Sequence, residues 1–293
     1  MSHFNYIVTC HNSEALIDRV LVGVQRCING GAVGTGATCV VVLDGCTDRT
    51  EELVSAYPWV QIVETPDVHE LLSINAGLRA APQDGDGYNI ILQDDVILEE
   101  PRLEELVEKL YATIPRLGYV SFRLAHNLGP DDPSNPYLIL CDEIESLYGA
   151  GAAGDTLVPY RFAERACVIK SPVCLPCKLV RELGMFDEAL APYGYDDLDY
   201  SIRAHQAGYV QGVFSIPFQS DVRWGGSRRP GHPDIQPTVI RNAAYLRKKH
   251  TAIIEQGLAF DCFHAEIADP EPKLAEARAR WEKSKATLKE LNP

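Results

Sequence analysis

The chain has 293 residues, 46% of them hydrophobic, enough for one large α/β domain or two small ones with a substantial core. Its formal net charge of −14 argues against general binding to nucleic acid or an anionic membrane, so an anionic ligand would need a local basic patch, a metal, or both. Nine cysteines, an odd number scattered along a long chain, exclude a dense disulfide scaffold and fit a reducing compartment. The opening stretch MSHFNYIVTCHN has no basic region followed by a long apolar run, and no segment approaches about 18 uninterrupted apolar residues. The expectation is a cytoplasmic protein with no transmembrane segment, one that would meet a membrane only peripherally.

In chain order, YIVTC (6–10) reads as a buried strand and is followed by an amphipathic helix over 14–27, with Leu16, Val20, Val24 and Cys27 on one face. The alternation continues with a strand over 38–44, a helix over 49–57, a strand over 60–64, a helix over 71–81 and a strand over 88–95. A helix over 101–114 then opens on Pro101. Such alternation predicts an α/β fold with a mostly parallel central sheet flanked by helices, whose ligands bind at the carboxyl ends of the strands. Asp44, Asp94 and Asp95 stand at such ends. The glycine run NGGAVGTGA (29–37) precedes a strand and lacks GxGxxG spacing, so it reads as a flexible turn.

Periodicity weakens over 123–165, where NLGPDDPSNP and YGAGAAGDT read as a surface connection. Order returns with a short helix over 178–186 closed by Gly184, a strand over 209–217, and helices over 237–250 and 272–291. In the last helix Leu274, Ala277, Trp281, Leu288 and Leu291 form a stripe interrupted by Ser284, read as packing on the protein's own body, with a homodimer contact as the alternative. Cys174 and Cys177 form a lone CxxC near Cys167. Without further ligands at zinc spacing they read as buried thiols.

Two acidic sites carry the chemistry. The strand-end pair in LQDD (92–95) offers hard oxygen ligands to Mg²⁺ or Mn²⁺, ions that keep positions for water and substrate phosphates. The segment YGYDDLDYSIRAHQAGY (193–209) crowds Asp196, Asp197 and Asp199 at a helix start. Helix capping, the helix dipole and an i,i+4 pairing of Asp199 with Arg203 account for such a cluster locally. A general base acting on an acceptor hydroxyl accounts for it chemically.

The order of YIVTCHNSEALIDRVLVGV, VVVLDGCTDRTEEL, LLSINAGLRAA, LQDDVIL, LGMFDEAL and YGYDDLDYSIRAHQAGY resembles the family 2 glycosyltransferases with the GT-A fold, over roughly residues 4–215. The resemblance implies a GT-A type nucleotide-diphospho-sugar transferase fold with a C-terminal helical extension. It divides the chain into a catalytic domain over 1–220, with a nucleotide-sugar-binding half (1–100) and an acceptor-side half (101–220), and a loop or lid with helices over 221–293 packed on the same domain. The implied reaction is an inverting, Mn²⁺- or Mg²⁺-assisted transfer of sugar from a nucleotide-diphosphate donor to a hydroxyl of a glycan or lipid-linked saccharide, as in polysaccharide biosynthesis.

Carried over by residue, Thr9, His11 and Asn12 match the first-strand segment lining the nucleotide pocket, and Asp44 matches the aspartate that binds the nucleotide base. Leu43 stands before it where the family often has a second Asp. Asn75 and Gly77 match the Asn-x-Gly of a helix facing the donor. Asp94 and Asp95 match the DxD-type motif, with Asp95 as the direct metal ligand and Gln93 in place of the first Asp. Asp196 and Asp197 occupy the acceptor-side Glu-Asp positions, which makes Asp197 the implied catalytic base, while Asp199 stays structural.

Residues after 217 match less well. RWGGSRRPGH (223–232) reads either as a solvated loop or as a lid, in which His232 completes the metal shell or one of Arg228 and Arg229 meets the donor diphosphate. Two other functions fit related folds. A sugar-1-phosphate nucleotidylyltransferase would carry a Gly-rich loop with Arg and Lys after the first strand, where this chain has TCHNSE. A non-catalytic sugar-nucleotide-binding or scaffold protein would tolerate Gln93, but retention of Asp197 argues against it.

Overall fold

The computed structural model describes residues 2–30, 36–221, 223–224, 235–260 and 264–291. Strands β1 (His3–Cys10), β2 (Ala37–Asp44), β3 (Val60–Thr65) and β4 (Gly87–Gln93) are linked through helices α1 (Ile17–Gly30), α2 (Thr50–Ser55) and α3 (His69–Ala80). β1 pairs in parallel with β2 and β4, and β2 pairs in parallel with β3. Every residue from Phe4 to Cys10 is buried, as expected of a central strand covered on both faces. Phe4, Tyr6, Val8 and Cys10 pack into one hydrophobic layer with α1, while Ile7 packs into the opposite layer with α3.

The chain continues through β5 (Ile97–Leu98), α4 (Leu103–Thr113), β6 (Leu117–Ser121), β7 (Leu124–Leu128), β8 (Leu140–Ser146), β9 (Asp155–Leu157), β10 (Arg161–Glu164), β11 (Cys167–Ile169) and β12 (Val173–Pro176). Then come α5 (Cys177–Leu183), a 3-10 turn at Glu188–Leu190, α6 (Asp196–Gln206), β13 (Val210–Phe214), β14 (Phe218–Gln219), α7 (Gln236–Lys249), α8 (Thr251–Gln256), β15 (His264–Glu266) and α9 (Glu271–Leu291). The central sheet has nine strands in the order β15-β10-β13-β6-β12-β4-β1-β2-β3. Its β4-β1-β2-β3 side is parallel, whereas β12 runs antiparallel to both β4 and β6. β12 thereby splices the first half of the chain to the second in one sheet. β15 extends that sheet at its far edge, so the C-terminal segment belongs to the same layer.

The stretch expected to be a surface connection is a correction. Residues 123–165 contain β7, β8, β9 and β10, and β7, β8, β9 and β11 form a separate four-stranded sheet. These strands escape pattern reading because they are short and half covered; β8, for example, buries only its last three residues. α1 begins at Ile17 because Leu16 and Ile17 donate to the Ser13 carbonyl through a preceding turn. Gly184 closes α5 with φ 80, a left-handed position that glycine takes at no steric cost. Residues 31–35 of the glycine run lie outside the described residues.

In α9, Ala277 and Trp281 join the core layer of α1 and α4, and Arg280 pairs with Glu99 ahead of α4. The stripe is thus used on the chain's own body from Leu274 to Trp281, whereas Leu291 at its end is exposed. Cys174 and Cys177 are buried free thiols. Among the described residues, no helix is long and apolar enough to cross a membrane.

Candidate active site

The carboxyl ends of the parallel strands form one edge of the site. Thr9 lies opposite Val42 on β2 and Gln93 on β4, and Asp44 lies opposite Thr65. Just beyond β1, the His11 amide donates to Asp94 Oδ2 at 3.0 Å, and the Asp94 amide donates to the Thr9 carbonyl at 3.1 Å. Burial pushes the Asp94 carboxyl up to about 6 against the pull of the His11 N–H. Asn12, at φ 50, accepts from the Thr47 and Asp48 amides at 2.7 and 3.2 Å, tying the end of β1 to the loop after β2. Thr9, His11, Asn12 and Asp94 therefore gather at one place.

Asp44 sits at this edge with its carboxylate occupied. It accepts from Thr65 Oγ1 at 2.7 Å, from the Val68 amide at 2.7 Å and from the His69 amide at 2.8 Å. These bonds satisfy orphan donors at the start of α3, which has no side-chain cap of its own. Asn75 is fully buried. Its Nδ2 donates to the Phe186 carbonyl at 2.9 Å and its Oδ1 accepts from the Phe186 amide at 3.1 Å, so it clamps α3 to the segment ahead of α6. Gly77 faces the sheet: a Cβ there would lie 2.4 Å from Ile7 Cγ2 and 3.2 Å from Val42 Cγ2. Both Asn75 and Gly77 shape the site through packing.

α6 forms the second wall. It starts from Tyr195 in the left-handed region at φ 63, and no side chain caps it. The aspartates of its first turn are directed elsewhere. Asp197 Oδ1 accepts from the Tyr119 hydroxyl at 2.8 Å and its Oδ2 from the Lys170 amide at 3.2 Å. Asp196 ion-pairs with the buried Lys170 ammonium, which also lies 3.7 Å from Glu70 Oε1 on α3. Asp199 takes Arg203, as the spacing suggests, together with Lys249 and His250 from the C-terminal helices.

These groups line a cavity of about 260 Å³ whose walls include Glu70, Gln93, Lys170, Tyr193, Asp196 and Asp197. Burial raises the Asp197 carboxyl to about 7, with Lys170 opposing and Asp196 reinforcing the shift. Burial also raises Glu70 to about 7, against Lys170 and with repulsion from Asp196, Asp197 and Asp95. Glu70 thus lies within electrostatic reach of both acidic sites, and Gln93, next to Asp94 in the chain, shares the cavity wall with Asp196 and Asp197.

Among the described residues, no group of three or more His, Cys, Asp or Glu side chains could hold a metal ion. The adjacent carboxylates Asp94 and Asp95 nonetheless suit Mg²⁺ or Mn²⁺, which bind through one or two carboxylates together with substrate phosphates and water. Arg228, Arg229 and His232 lie outside the described residues; Trp224, which is described, has the Arg19 guanidinium 5.1 Å over its ring.

Sequence reading missed Glu70, Lys170 and Tyr119. Lys170 had a usable signal, being the one charged residue between Cys167 and Cys177 in an otherwise neutral run.

Residues 6–140, from β1 to the start of β8, match glycosyl transferase family 2. The chain is similar to this family over that span, just under half of its length. That span holds the strand-end edge, including Asp44, Asp94 and Asp95, and stops short of α6. No curated protein sequence matches the chain significantly.

Among solved structures, S. aureus TarS 1–349 in complex with UDP-GlcNAc is similar at a TM-score of 0.58 and 13% identity, over 96% of this chain and 72% of that one. The complex of the same fragment with UDP gives a TM-score of 0.51 and 15% identity, over 75% and 60% respectively. A longer TarS structure gives 0.51 and 17%, over 75% of this chain and 37% of that one. The chain therefore spans less than two thirds of several of the structures it matches. At these identities the likeness shows the fold, and the chain has the GT-A architecture.

Proposed function

We propose that the chain is a family 2 glycosyltransferase, an inverting enzyme that moves a sugar from a nucleotide-diphosphate donor to a hydroxyl of a glycan or lipid-linked saccharide. The observation that carries the reading is the state of Asp197. Its two oxygens are fixed by the Tyr119 hydroxyl and the Lys170 amide, it lines the cleft, and its carboxyl titrates near 7, where a general base is most effective.

In the proposed reaction Asp197 takes the proton of the acceptor hydroxyl as that oxygen attacks the anomeric carbon. A new C–O bond forms on the face opposite the departing diphosphate, which leaves with the electron pair of the broken bond and so inverts the configuration. Thr9, His11, Asn12 and Asp94 shape the donor edge, and Asp44 holds the turn before α3 that borders it. Asp95, with Asp94 beside it, would hold the divalent ion, which when bound neutralises charge on the diphosphate, a contribution worth several kcal/mol. Holding donor and acceptor in line across the cleft contributes at least as much.

Calorimetric titration with UDP, GDP, dTDP and their sugars, with and without Mn²⁺, tests the reading in the parent, Asp95→Ala and Asp197→Asn proteins. Metal-dependent binding of one nucleotide, lost in Asp95→Ala and kept in Asp197→Asn, is expected. Absence of binding to every nucleotide would overturn it.

A further inference from the structure

Lys170 stands where three carboxyl groups of the cleft meet. It lies between β11 and β12, its side chain only 4% exposed, with the ammonium 5.5 Å from the Phe186 ring centroid. The ammonium pairs with Asp196 of α6 and approaches Glu70 of α3, while the peptide N–H of the same residue donates to Asp197 Oδ2.

We propose that Lys170 is the positioning residue of the base: its ammonium neutralises Asp196 so that Asp197 alone of the adjacent pair accepts the proton, and its amide fixes the orientation of Asp197. The inference rests on the reading of Asp197 as the base. Neighbouring carboxylates raise each other's proton affinity and share a titration, which would leave neither of them a defined base. A buried cation bonded to one of them separates their roles.

The groups facing Asp197 support that division. Tyr119 comes from β6, Cys167 from β11, Glu70 from α3 and Tyr193 from the turn before α6, with Asp196 next to it in the chain. Each of these is neutral or anionic when it titrates. Lys170 supplies the opposing positive charge, and burial strengthens its effect because little water screens the pair. Its reach to Glu70 adds a second consequence. α3 begins where Asp44 holds the His69 amide, so Lys170 connects the helix set by the donor edge to the helix that carries the base.

The test is a titration of the aspartate carboxyl carbons by NMR in ¹³C-aspartate-labelled protein, with Asp197→Asn assigning the Asp197 signal. In Lys170→Met the Asp197 midpoint is expected to rise by about one pH unit or more, a tenfold or larger gain in proton affinity. Lys170→Arg, which keeps the charge, is expected to stay near the parent midpoint. Where Lys170→Met alone fails to fold, the paired E70Q/K170M variant removes one carboxylate with the ammonium, and an upward movement smaller than that of Lys170→Met is expected, because the repulsion from Glu70 is lost as well. An unmoved midpoint in the methionine variant that folds would overturn the proposal, as would an arginine variant shifted as far as the methionine one. The titration needs neither donor nor acceptor, so failure of the Lys170 assignment and failure of the transferase reading give separate results.

Discussion

His250, at the junction of α7 and α8, places its Nε2 2.9 Å from Oδ1 of Asp199, a residue of the α6 first turn that is completely buried. Arg203 Nε at 2.8 Å and Lys249 Nζ at 2.6 Å complete the surroundings of that carboxylate. The C-terminal helices are thereby anchored to the helix that carries the proposed base.

This relationship makes acid stability a measurable property of the anchor. Burial alone would raise the Asp199 carboxyl, but His250, Arg203 and Lys249 hold it at about 2. Because the folded value lies below the unfolded one of about 3.9, the contribution is present above that pH and is lost as pH falls from about 4 toward 2. Its size is on the order of 2 kcal/mol. Asp199→Asn leaves the Arg203 and Lys249 cations and the His250 ring around an amide and is expected to cost about 3 kcal/mol in urea unfolding at neutral pH, with a flatter stability profile below about pH 4. A variant as stable as the parent at neutral pH would show that the cluster does not anchor these helices.

The hydroxyl of Tyr119 bears on the base itself. Tyr119→Phe keeps the ring packed on Tyr200 and Phe186, with centroids at 5.3 and 6.1 Å, and removes only the donor to Asp197 Oδ1. That hydrogen bond favours the ionised carboxylate, so its loss raises the proton affinity of Asp197. A base acts when deprotonated, and activity should fall as pH drops through about 7 in the parent. In Tyr119→Phe the acid limb of the kcat/KM profile is expected to move to higher pH, with activity at neutral pH about tenfold lower. A fall in activity with an unmoved limb would assign Tyr119 to packing.

What could be read in advance follows from the length of the signal. β1 to α4 carry long apolar runs and helical periods, and the strand ends that place Asp44 and Asp94 follow from them directly. Asp197 was legible through the order of motifs, and Asp199–Arg203 through i,i+4 spacing. The pairing of Lys170 with Glu70 was not, because it joins residues 100 positions apart across an antiparallel β12 that no crossover helix announces. The role of Asn75 also needed coordinates: its partners are the Phe186 backbone, between α5 and the 3-10 turn, and Glu188 at the start of that turn. Short, half-covered strands such as β9 leave no period to detect.

Stability and function should oppose each other at Asp197. Its folded carboxyl titrates near 7, above the unfolded value of about 3.9, so its contribution favours the fold at low pH and is lost as pH rises from about 4 through 7. At mildly alkaline pH the buried charge is therefore a cost. Asp197→Asn is expected to abolish transfer while raising stability by on the order of 1 kcal/mol at about pH 8, with the gain shrinking below about pH 5. Thermal melts at the two pH values provide the measurement. A variant less stable than the parent at the higher pH would mean that Tyr119 and the Lys170 amide more than offset the burial of the charge.

Gly77 separates a packing role from a ligand role. The motif resemblance places it on a helix facing the donor, whereas its α-carbon faces Ile7 and Val42 on the sheet, where an added methyl would meet Ile7 Cγ2 at 2.4 Å. Gly77→Ala must push α3 away from β1 and β2, an overpacking that costs about 1–3 kcal/mol. The helix carries Glu70 in its first turn and Asn75 in its middle, so the displacement also disturbs the link to Lys170 and the clamp on Phe186. The expected outcome is a lowered urea midpoint together with a reduced maximal rate. If donor affinity fell while stability stayed at the parent value, Gly77 would belong to the ligand surface and the packing account of α3 would be wrong.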